Sequence, residues 1–485
     1  MNQLTATEPK RSLGLLDATM LVVGSMIGSG IFIVSADMAR TLGSPGYLLL
    51  AWLITGVVTI VAALSYGELA GMMPKAGGQY VYLREAYNPL VGFLYGWTVF
   101  MVIQTGTIAA VAVGFAKFTA VFFPALGTTN ILFSLGFIKI SAAQLFAISS
   151  LILLTFTNSR GLRNVKIIQT VFTSAKVIAL AGLITLGFIV CFKTNVLADN
   201  FKDIWAASTT TLINGVPCIQ PLSGWAILTA MGVAMVGSLF ASDAWNNVTF
   251  IAGEIKNPQK NIPWSLFFGA ALVTIIYILA NVVYVALLPL HGSPEAADVL
   301  GRGIQFAADD RVGTAAASLI FGAPAVYIMA ALIMVSTFGC NNGLILSGAR
   351  LYYAMAKDDL FFKKAATLNK YSVPGFSLLL QLIWASVLCL SGTYSDLLDY
   401  TIFAALLFYI LTIAGVFILR KKRPGAERPY KAFGYPWLPL LFIIVATAIC
   451  IDLLVFKSRN SLPGLIIVLS GIPVYFLQRR FKKSL

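Results

Sequence analysis

The sequence predicts an all-α integral membrane protein with twelve transmembrane helices, and three observations support this. The chain of 485 residues is 58% hydrophobic and only 11% charged, whereas soluble domains carry roughly 25% charged residues. Its apolar residues fall into stretches of about 20 residues, the length that crosses a bilayer as a helix. Those stretches use up nearly the whole chain, which excludes a sizeable soluble domain.

The predicted spans follow one another with mostly short connections. They lie near residues 14–40, 47–73, 90–123, 141–157, 166–190, 224–253, 265–289, 322–349, 375–391, 397–419, 437–456 and 462–478. With a cytoplasmic N-terminus, most of the 34 Lys and Arg residues fall on the cytoplasmic side, as the positive-inside rule requires. The net charge of +15 therefore reflects topology and not a nucleic-acid partner, and both termini are expected in the cytoplasm.

Two similar interruptions lie inside long apolar segments, at Gly24–Gly30 and at Gly237–Asp243. Each has a glycine, a serine, two apolar residues, a small residue and a second serine, followed by a glycine or an acid. Their host spans are five spans apart, so the chain crosses the membrane in opposite directions through them. Paired interruptions of this kind are typical of the midplane binding site of a transporter, so the sequence predicts solute transport.

The spans group into two sets of five. We predict a first repeat over 14–190, a second inverted repeat over 224–419, and two additional helices over 437–478. Cytoplasmic tails would cover 1–13 and 479–485. This 5+5 arrangement, with helices 1 and 6 broken, resembles the architecture of the leucine transporter.

Unwound backbone in a membrane must bind something, because lipid cannot satisfy its polar groups. The N–H groups near Ser29 and Gly30 would start a new helix, and a helix N-terminus suits a carboxylate. The carbonyls near Met26, Ile27 and Ser238–Ala241 would end the preceding helical halves and suit an ammonium group. A carboxylate socket beside an ammonium socket describes an α-amino acid, with specificity supplied by side chains elsewhere.

Several motifs resemble the amino acid–polyamine–organocation superfamily. They are Gly24–Phe32, Tyr66–Leu69, Met73–Gly78, Glu254–Gln259 and Arg428–Pro436, and together they cover the chain from about residue 12 to residue 440. Two further segments, Gln169–Lys176 and Leu239–Asn246, are most similar to the L-type amino-acid transporter branch.

The resemblance implies roles for individual residues in the two interruptions. The substrate's main-chain carboxylate and ammonium would be held by Ile27, Gly28, Ser29 and Gly30. Phe240 would be the aromatic gate over the substrate, and Ala241 would contribute a carbonyl. The sequence departs from the family pattern at Asp243, where the family usually has a glycine or another small uncharged residue. This acid argues against a purely apolar pocket for large neutral amino acids.

Lys176 and Asp243 are the ionisable residues that we place deep within spans. Such a charge costs roughly 2.5–3.5 kcal/mol on insertion scales, so each needs a partner or a cavity. Lys176 is expected to link spans one and five, with its ammonium where sodium-coupled relatives bind their cation. Asp243 has three open roles: pairing with a basic group, carrying a proton, or facing a polar or cationic substrate side chain.

These features predict a secondary amino-acid transporter of a bacterial inner membrane. It would move small or neutral L-amino acids by alternating access, through sodium-independent exchange or facilitated uptake. The alternatives are proton-coupled transport, transport of cationic amino acids or polyamines, and, remotely, an amino-acid sensor that transports nothing. We find no nucleotide motif, metal motif or nucleophile–base pair in the sequence, so no enzyme, cofactor or metal site is expected.

Two cysteines and one loop bear on covalent partners. Cys191 and Cys218 fall at or in the outer loop 191–223 and could form a disulfide in an oxidising compartment. Animal relatives use a disulfide in the loop after span three to hold a partner chain, and the corresponding segment 124–141 has no cysteine here. The expected partners are therefore an amino acid and the lipid bilayer, without an obligate heavy-chain subunit.

Overall fold

The computed structural model describes residues 11–135, 138–192, 194–213, 215–391 and 394–483. Most of these residues are helical, and the long helices pack around one continuous apolar core. The predicted tails 1–13 and 479–485 fall partly outside the described residues.

The first five predicted spans correspond to seven of the first eight α-helices. In chain order the helices are α1 (Leu15–Met26), α2 (Gly30–Leu42), α3 (Pro45–Met72), α4 (Gln79–Ala86), α5 (Pro89–Thr98), α6 (Gln104–Thr119), α7 (Ala142–Ser159) and α8 (Leu162–Cys191). A π-helical turn, Val99–Ile103, joins α5 to α6 within the third span. The short helix α4 lies between the second and third spans.

The rest of the chain adds ten helices. They are α9 (Val196–Lys202), α10 (Trp225–Ala241), α11 (Pro258–Leu287), α12 (Val299–Arg302), α13 (Val312–Phe321), α14 (Ala325–Lys357), α15 (Gly375–Ser391), α16 (Tyr394–Lys422), α17 (Trp437–Phe456) and α18 (Ser458–Lys483). A 3₁₀-helical segment, Trp245–Glu254, continues the sixth span beyond α10.

Two antiparallel hairpins interrupt this helical order. β1 (Ile131–Leu135) pairs with β2 (Ile138–Ser141) between the third and fourth spans. β3 (Ser208–Ile213) pairs with β4 (Val216–Pro221) between the fifth and sixth spans. The protein is therefore mainly helical, and the all-α prediction omitted two loop hairpins.

Each predicted span meets a helix, although not all of these helices are long. Ten helices of the described residues are long and apolar enough to cross a membrane, and the bent pair α1–α2 makes eleven candidates. α15, at the ninth predicted span, has 17 residues and is shorter than these. The structure thus supports a multi-pass membrane protein with ten or eleven long spans.

Local sequence explains where several spans begin. The Ser44 hydroxyl accepts a hydrogen bond from the Tyr47 N–H at 3.3 Å, and Pro45 occupies the first helical position of α3. Asn88 caps α5 in the same way, through the Val91 N–H at 3.1 Å, again followed by a proline. A polar cap followed by proline satisfies a terminal N–H and presets the helical backbone, which starts a span sharply.

Small residues let the central helices approach closely. A Cβ on Gly56 of α3 would lie 2.2 Å from the Thr274 Cγ2 of α11, and one on Gly269 of α11 would lie 2.4 Å from the Val22 Cγ1 of α1. Membrane helices gain little from hydrophobic association and depend on such close van der Waals packing. These glycines therefore fix α11 between the first and second spans.

A backbone junction joins the start of the first span to the end of the sixth. The Ser12 and Leu13 N–H groups donate to the Glu254 carbonyl at 2.9 and 3.0 Å, and the Lys256 N–H donates to the Leu13 carbonyl at 2.8 Å. The Glu254 carboxylate forms a buried ion pair with Arg350 of α14 at 2.5 Å. The first, sixth and eighth spans are therefore tied together on the side of the membrane that holds α4.

Candidate functional site

The first span is broken, as the sequence predicted. α1 ends at Met26 and α2 begins at Gly30, and the two helices meet at an angle of 41°. Ile27 is extended, with φ −75° and ψ 94°. We call residues 27–29 the first break. Its residues are buried among the central helices, so its backbone groups must be satisfied by protein or by a ligand.

The glycine that opens the predicted interruption has a different task. Gly24 is still helical, and a Cβ there would lie 1.9 Å from the Gln169 Nε2 and 2.3 Å from the Thr173 Oγ1 of α8. Gly24 therefore allows α8 to pack against α1, and the unwinding starts three residues later.

Lys176 ties the first break to the fifth and eighth spans. Its Nζ donates to the carbonyls of Gly24 at 2.7 Å, Ile27 at 2.6 Å and Ser336 at 3.2 Å, and the side chain is only 1% exposed. An ammonium group has three N–H donors, so these contacts account for all of them. The expected link between spans one and five is present, with α14 as a third member.

Two side chains of α14 contact the first break and the end of α1. The Ser336 hydroxyl donates to the Ile27 carbonyl at 3.1 Å, and the Cys340 Sγ donates to the Ser25 carbonyl at 3.0 Å. A Cβ on Gly28 would lie 3.5 Å from the Cys340 Sγ, which is ordinary contact distance. The first break is therefore enclosed by α8 on one side and α14 on another.

The sixth span is also broken, but later than the sequence indicated. α10 continues through Ala241, and the chain turns at residues 242–244, which we call the second break. Ala244 has φ +67°, a left-handed conformation that non-glycine residues seldom adopt. The 3₁₀ segment then starts at Trp245.

Gly237 and Ser238 therefore belong to the helix and not to the break. A Cβ on Gly237 would lie 3.0 Å from the Val34 Cβ of α2, so this glycine serves packing. The Ser238 hydroxyl lies 2.7 Å from that of Thr55 on α3, and the Ser238 carbonyl accepts the Ser242 N–H at 3.0 Å. Ser238 is therefore a helical residue whose hydroxyl and carbonyl contact the scaffold, and its role in an ammonium socket remains a prediction.

The helix ends beside the two breaks contact each other. A Cβ on Gly30 would lie 2.8 Å from the Ala241 Cβ, so α2 starts directly against the end of α10. The Tyr277 hydroxyl of α11 lies 3.1 Å from both the Met26 and the Ala241 carbonyls and so bridges the ends of the two helical halves. The ring of Trp52 packs edge-on against Tyr277 with centroids 5.5 Å apart. Sequence reasoning missed Tyr277, since a tyrosine in an apolar helix gives no special signal.

The freed carbonyls already have protein donors. The single Tyr277 O–H is shared between the Met26 and Ala241 carbonyls, and Ile27 accepts from Lys176 and Ser336. A carbonyl oxygen has two lone pairs, so Met26 and Ala241 each keep at least one acceptor position. The ammonium socket remains a prediction.

Phe240 lies in the last turn of α10, directly before the second break, and is buried. The start of α2 at Gly30 and the end of α10 at Ala241 place it beside the contact between the two breaks. Its predicted gating role remains a prediction.

Asp243 sits in the second break and is 7% exposed. The Tyr409 hydroxyl of α16 donates to its Oδ1 at 2.5 Å. Of the three roles left open, pairing with a basic group finds no support among the described side chains, because the partner is a phenol. Asp452 of α17 was missed as a further intramembrane acid, and it packs against Gly232 of α10.

Cys191 and Cys218 are free thiols in the structure, which differs from the possible disulfide. Cys191 ends α8, where its Sγ donates to the Phe188 carbonyl at 3.2 Å. Cys218 lies in β4, opposite Thr211 of β3. The helix end and the hairpin hold the two sulfurs in separate elements.

No group of three or more His, Cys, Asp or Glu side chains within the described ranges could hold a metal ion. The site consists of two helix ends, unwound backbone, one ammonium and one carboxylate, all enclosed by membrane helices. Such an arrangement can bind a small zwitterion by its main-chain groups.

These features define a class: a multi-pass membrane protein whose first and sixth spans are both broken, with the helix ends at the two breaks side by side. The sequence matches the amino acid permease family over residues 13–475. The chain belongs to this family and is an amino-acid transporter, not an enzyme.

Three relatives illustrate the similarity. The large neutral amino acids transporter small subunit 2 of Homo sapiens is 32% identical over 474 residues, covering 96% of this chain and 80% of the relative. The b(0,+)-type amino acid transporter 1 of Mus musculus is 27% identical, covering 98% of this chain and 89% of its own length. The serine/threonine exchanger SteT of Bacillus subtilis strain 168 is 28% identical, and the match covers 98% of this chain and 98% of the relative.

Proposed function

We propose that the chain is a sodium-independent exchanger of small or neutral L-amino acids that works by alternating access. Two relatives are named for the solutes that such an exchanger would carry, serine and threonine in one case and large neutral amino acids in the other. The observation that carries the proposal is the contact between the two breaks at Gly30 and Ala241, bridged by Tyr277.

The substrate would bind by its main-chain groups at the two breaks. Its carboxylate would meet the N–H groups at the start of α2, near Gly28, Ser29 and Gly30, where the helix dipole favours an anion. Its ammonium would meet the remaining lone pairs of the Met26 and Ala241 carbonyls. Phe240 would cover the bound amino acid as a gate.

Sodium independence follows from the position of Lys176. Its ammonium lies within 2.7 Å of the Gly24 and Ile27 carbonyls, which would otherwise be free to bind a cation. A second positive charge about 4 Å away would meet roughly 4 kcal/mol of repulsion at an effective dielectric of 20. Replacing sodium by choline should therefore leave exchange unchanged.

We propose twelve spans, built as inverted repeats over 14–190 and 224–419 with two further helices over 437–478. The breaks at 27–29 and 242–244 support this, because they occupy the first span of each repeat. α15 would cross as the ninth span despite its 17 residues, since short spans are accommodated by local thinning of the bilayer.

We further propose a bacterial inner membrane as the location, with both termini in the cytoplasm. The basic clusters of the sequence support this orientation, and one relative is bacterial. The mammalian relative is named as a small subunit. Because the segment 124–141 has no cysteine, we propose that this chain functions without a disulfide-linked heavy chain.

Counterflow in proteoliposomes tests the function. Liposomes loaded with an unlabelled L-amino acid should accumulate the labelled one with the same rate in sodium and in choline buffer, and without a proton gradient. A tenfold stimulation by sodium would contradict the role of Lys176, and dependence on a proton gradient would favour proton-coupled transport. Uptake of label into loaded liposomes but not into empty ones would indicate exchange, because facilitated uptake would also fill empty liposomes to equilibrium. Binding without any counterflow would indicate a sensor.

Competition by modified amino acids tests the backbone sockets. Methyl esters lack the carboxylate and N-acetyl derivatives lack the ammonium, so neither should compete with the free amino acid. Effective competition by esters would contradict the carboxylate socket and make polyamines the better substrates, with Asp243 as their anchor.

A further inference from the structure

A polar pocket lies beside the second break, between the third, sixth, eighth and tenth spans and α4. Its polar lining includes Gln79, Gln104, Thr107, Asp243, Asn246 and Tyr409. None of the described side chains that line it is basic. The pocket therefore combines one carboxylate with neutral hydrogen-bonding groups, at a depth where lipid supplies none.

The pocket lies about one helical turn from the first break. Val111 of α6 and Cys340 of α14 are the side chains nearest to a Cβ on Gly28, at 3.9 and 3.5 Å. Thr107 lies four residues before Val111, and Leu344 lies four residues after Cys340. Both of these line the pocket. One helical turn rises about 5.4 Å, so a substrate held by its main chain at Gly28 would direct a short side chain into the pocket.

Asp243 is held in a defined orientation at the edge of this pocket. Tyr409 donates to Oδ1 at 2.5 Å, and the backbone of Ala244 also donates to the carboxylate. The Tyr409 ring packs on Trp245 with centroids 5.3 Å apart and edge-on against Tyr66 at 6.0 Å. A carboxylate has about four acceptor positions, so further positions remain for a ligand. The aromatic packing fixes the phenol, and the phenol fixes the carboxylate.

We propose that Asp243 and Tyr409 form a specificity subsite for substrate side chains that end in a hydrogen-bond donor: a hydroxyl, an amide or an ammonium group. This inference rests on the proposed function. A donor-bearing side chain replaces the water that the buried carboxylate loses when the pocket closes. An apolar side chain of the same shape leaves the carboxylate without that hydrogen bond, and sites built for a polar group reject such analogues strongly.

Within this subsite the two residues differ in role. Asp243 touches the substrate side chain, whereas Tyr409 is a positioning residue that acts through Asp243. Without the phenol hydroxyl the carboxylate can rotate, and its acceptor direction is no longer fixed on the substrate. Loss of the hydroxyl should therefore weaken discrimination between substrates more than it weakens transport itself.

Counterflow with shape-matched substrate pairs tests the proposal. Threonine and valine differ by a hydroxyl in place of a methyl group, and ornithine and norleucine differ by an ammonium group in place of a terminal methyl group. The wild type should exchange threonine over valine, or ornithine over norleucine, by about tenfold in kcat/KM, as expected for one buried hydrogen bond. The pair with the larger ratio shows whether the donor is a hydroxyl or an ammonium group.

Variants locate the origin of that ratio. Asp243→Ala should reduce both ratios to about one, and Tyr409→Phe should reduce them by about threefold to fivefold. Asp243→Asn, which keeps the size, should reduce the ornithine preference more than the threonine preference. Tyr352→Phe is the matched control: this tyrosine is buried, its hydroxyl has no hydrogen-bond partner in the described part of the chain, and its ratios should equal those of the wild type.

Equal rates within both pairs in the wild type, or an unchanged ratio in Asp243→Ala, would overturn the subsite. If Asp243→Ala does not purify as a monodisperse protein, the Tyr409→Phe and Asp243→Asn ratios decide in its place. Failure of every free amino acid to show counterflow would overturn the proposed function. A chain that exchanges amino acids without discriminating within the pairs loses only the subsite.

Discussion

The two breaks share a position in their spans but differ in how they are held. The first break and the two residues before it are bonded to fixed groups of three other helices: Lys176 of α8, Ser336 and Cys340 of α14, and Tyr277 of α11. The second break has one hydrogen bond from α16 to its acidic side chain and lies beside a polar pocket. The difference suggests a division of labour, in which the first break holds the part common to all amino acids and the second reads the part that varies.

The strongest expected effect concerns the buried ion pair between Glu254, at the end of the sixth span, and Arg350. Arg350→Met should lower the free energy of unfolding by about 3–5 kcal/mol, because it leaves the buried Glu254 carboxylate without its counter-charge. Thermal unfolding in detergent would measure the loss, and adding Glu254→Leu should recover most of it. Lys202→Met, which breaks an exposed ion pair with Asp199, should change nothing measurable. A melting temperature for Arg350→Met equal to that of the wild type would show that the ion pair between Arg350 and Glu254 does not stabilise the fold.

Removing the tie of the first break should abolish most transport. Lys176→Ala removes the ammonium that donates to the Gly24, Ile27 and Ser336 carbonyls, and we expect counterflow to fall about a hundredfold, or about 2.7 kcal/mol. Lys176→Arg should rescue poorly, because the guanidinium fork is larger and places its charge differently. Lys117→Ala is the control, since its ammonium reaches only the Asp309 carbonyl at 3.5 Å. Normal exchange by Lys176→Ala would make this lysine a packing residue and move the coupling question to Asp243.

Removing a single oxygen atom should weaken the contact between the helix ends at the two breaks. Tyr277→Phe removes the hydroxyl that lies 3.1 Å from the Met26 and Ala241 carbonyls, and exchange should fall by about threefold to tenfold. Tyr284→Phe offers a matched control on the same helix, because the Tyr284 hydroxyl has no partner among the described residues. Equal losses in the two variants would show that the bridge does not matter.

The smallest expected effect tests where the sixth span unwinds. Gly237→Ala should lower the melting temperature by a few degrees, because its methyl group meets the Val34 Cβ at 3.0 Å. Adding Val34→Ala should not restore it, because alanine keeps the Cβ atom that the new methyl group meets. If Gly237→Ala instead abolished exchange without changing stability, residue 237 would belong to the second break after all.

Sequence predicted the spans well, because about 20 apolar residues must be helical to cross a bilayer. It located the breaks less well, because Gly24 and Gly237 are as suitable for close packing as for unwinding. Only the neighbouring helices decide which applies, and those neighbours come from distant parts of the chain.

The candidate site shows the same limit. Lys176 and Asp243 were recognisable because a charge in a span needs an explanation. Tyr277 and Tyr409 were not recognisable, because tyrosine is common in apolar helices. The role of its hydroxyl becomes visible only when the carbonyl or carboxylate that it contacts is known. The two hairpins were missed because strands of only four to six residues give too short a stretch for a clear alternating pattern.

The junction of Ser12 and Leu13 with Glu254 and Lys256 uses main-chain atoms alone. Substitutions at these positions, other than to proline, leave its N–H and C=O groups in place. The residues before α1 and the end of the 3₁₀ segment are therefore held together by the backbone and should move together. A spin label at Arg11 should report movements of the sixth span as faithfully as movements of the first.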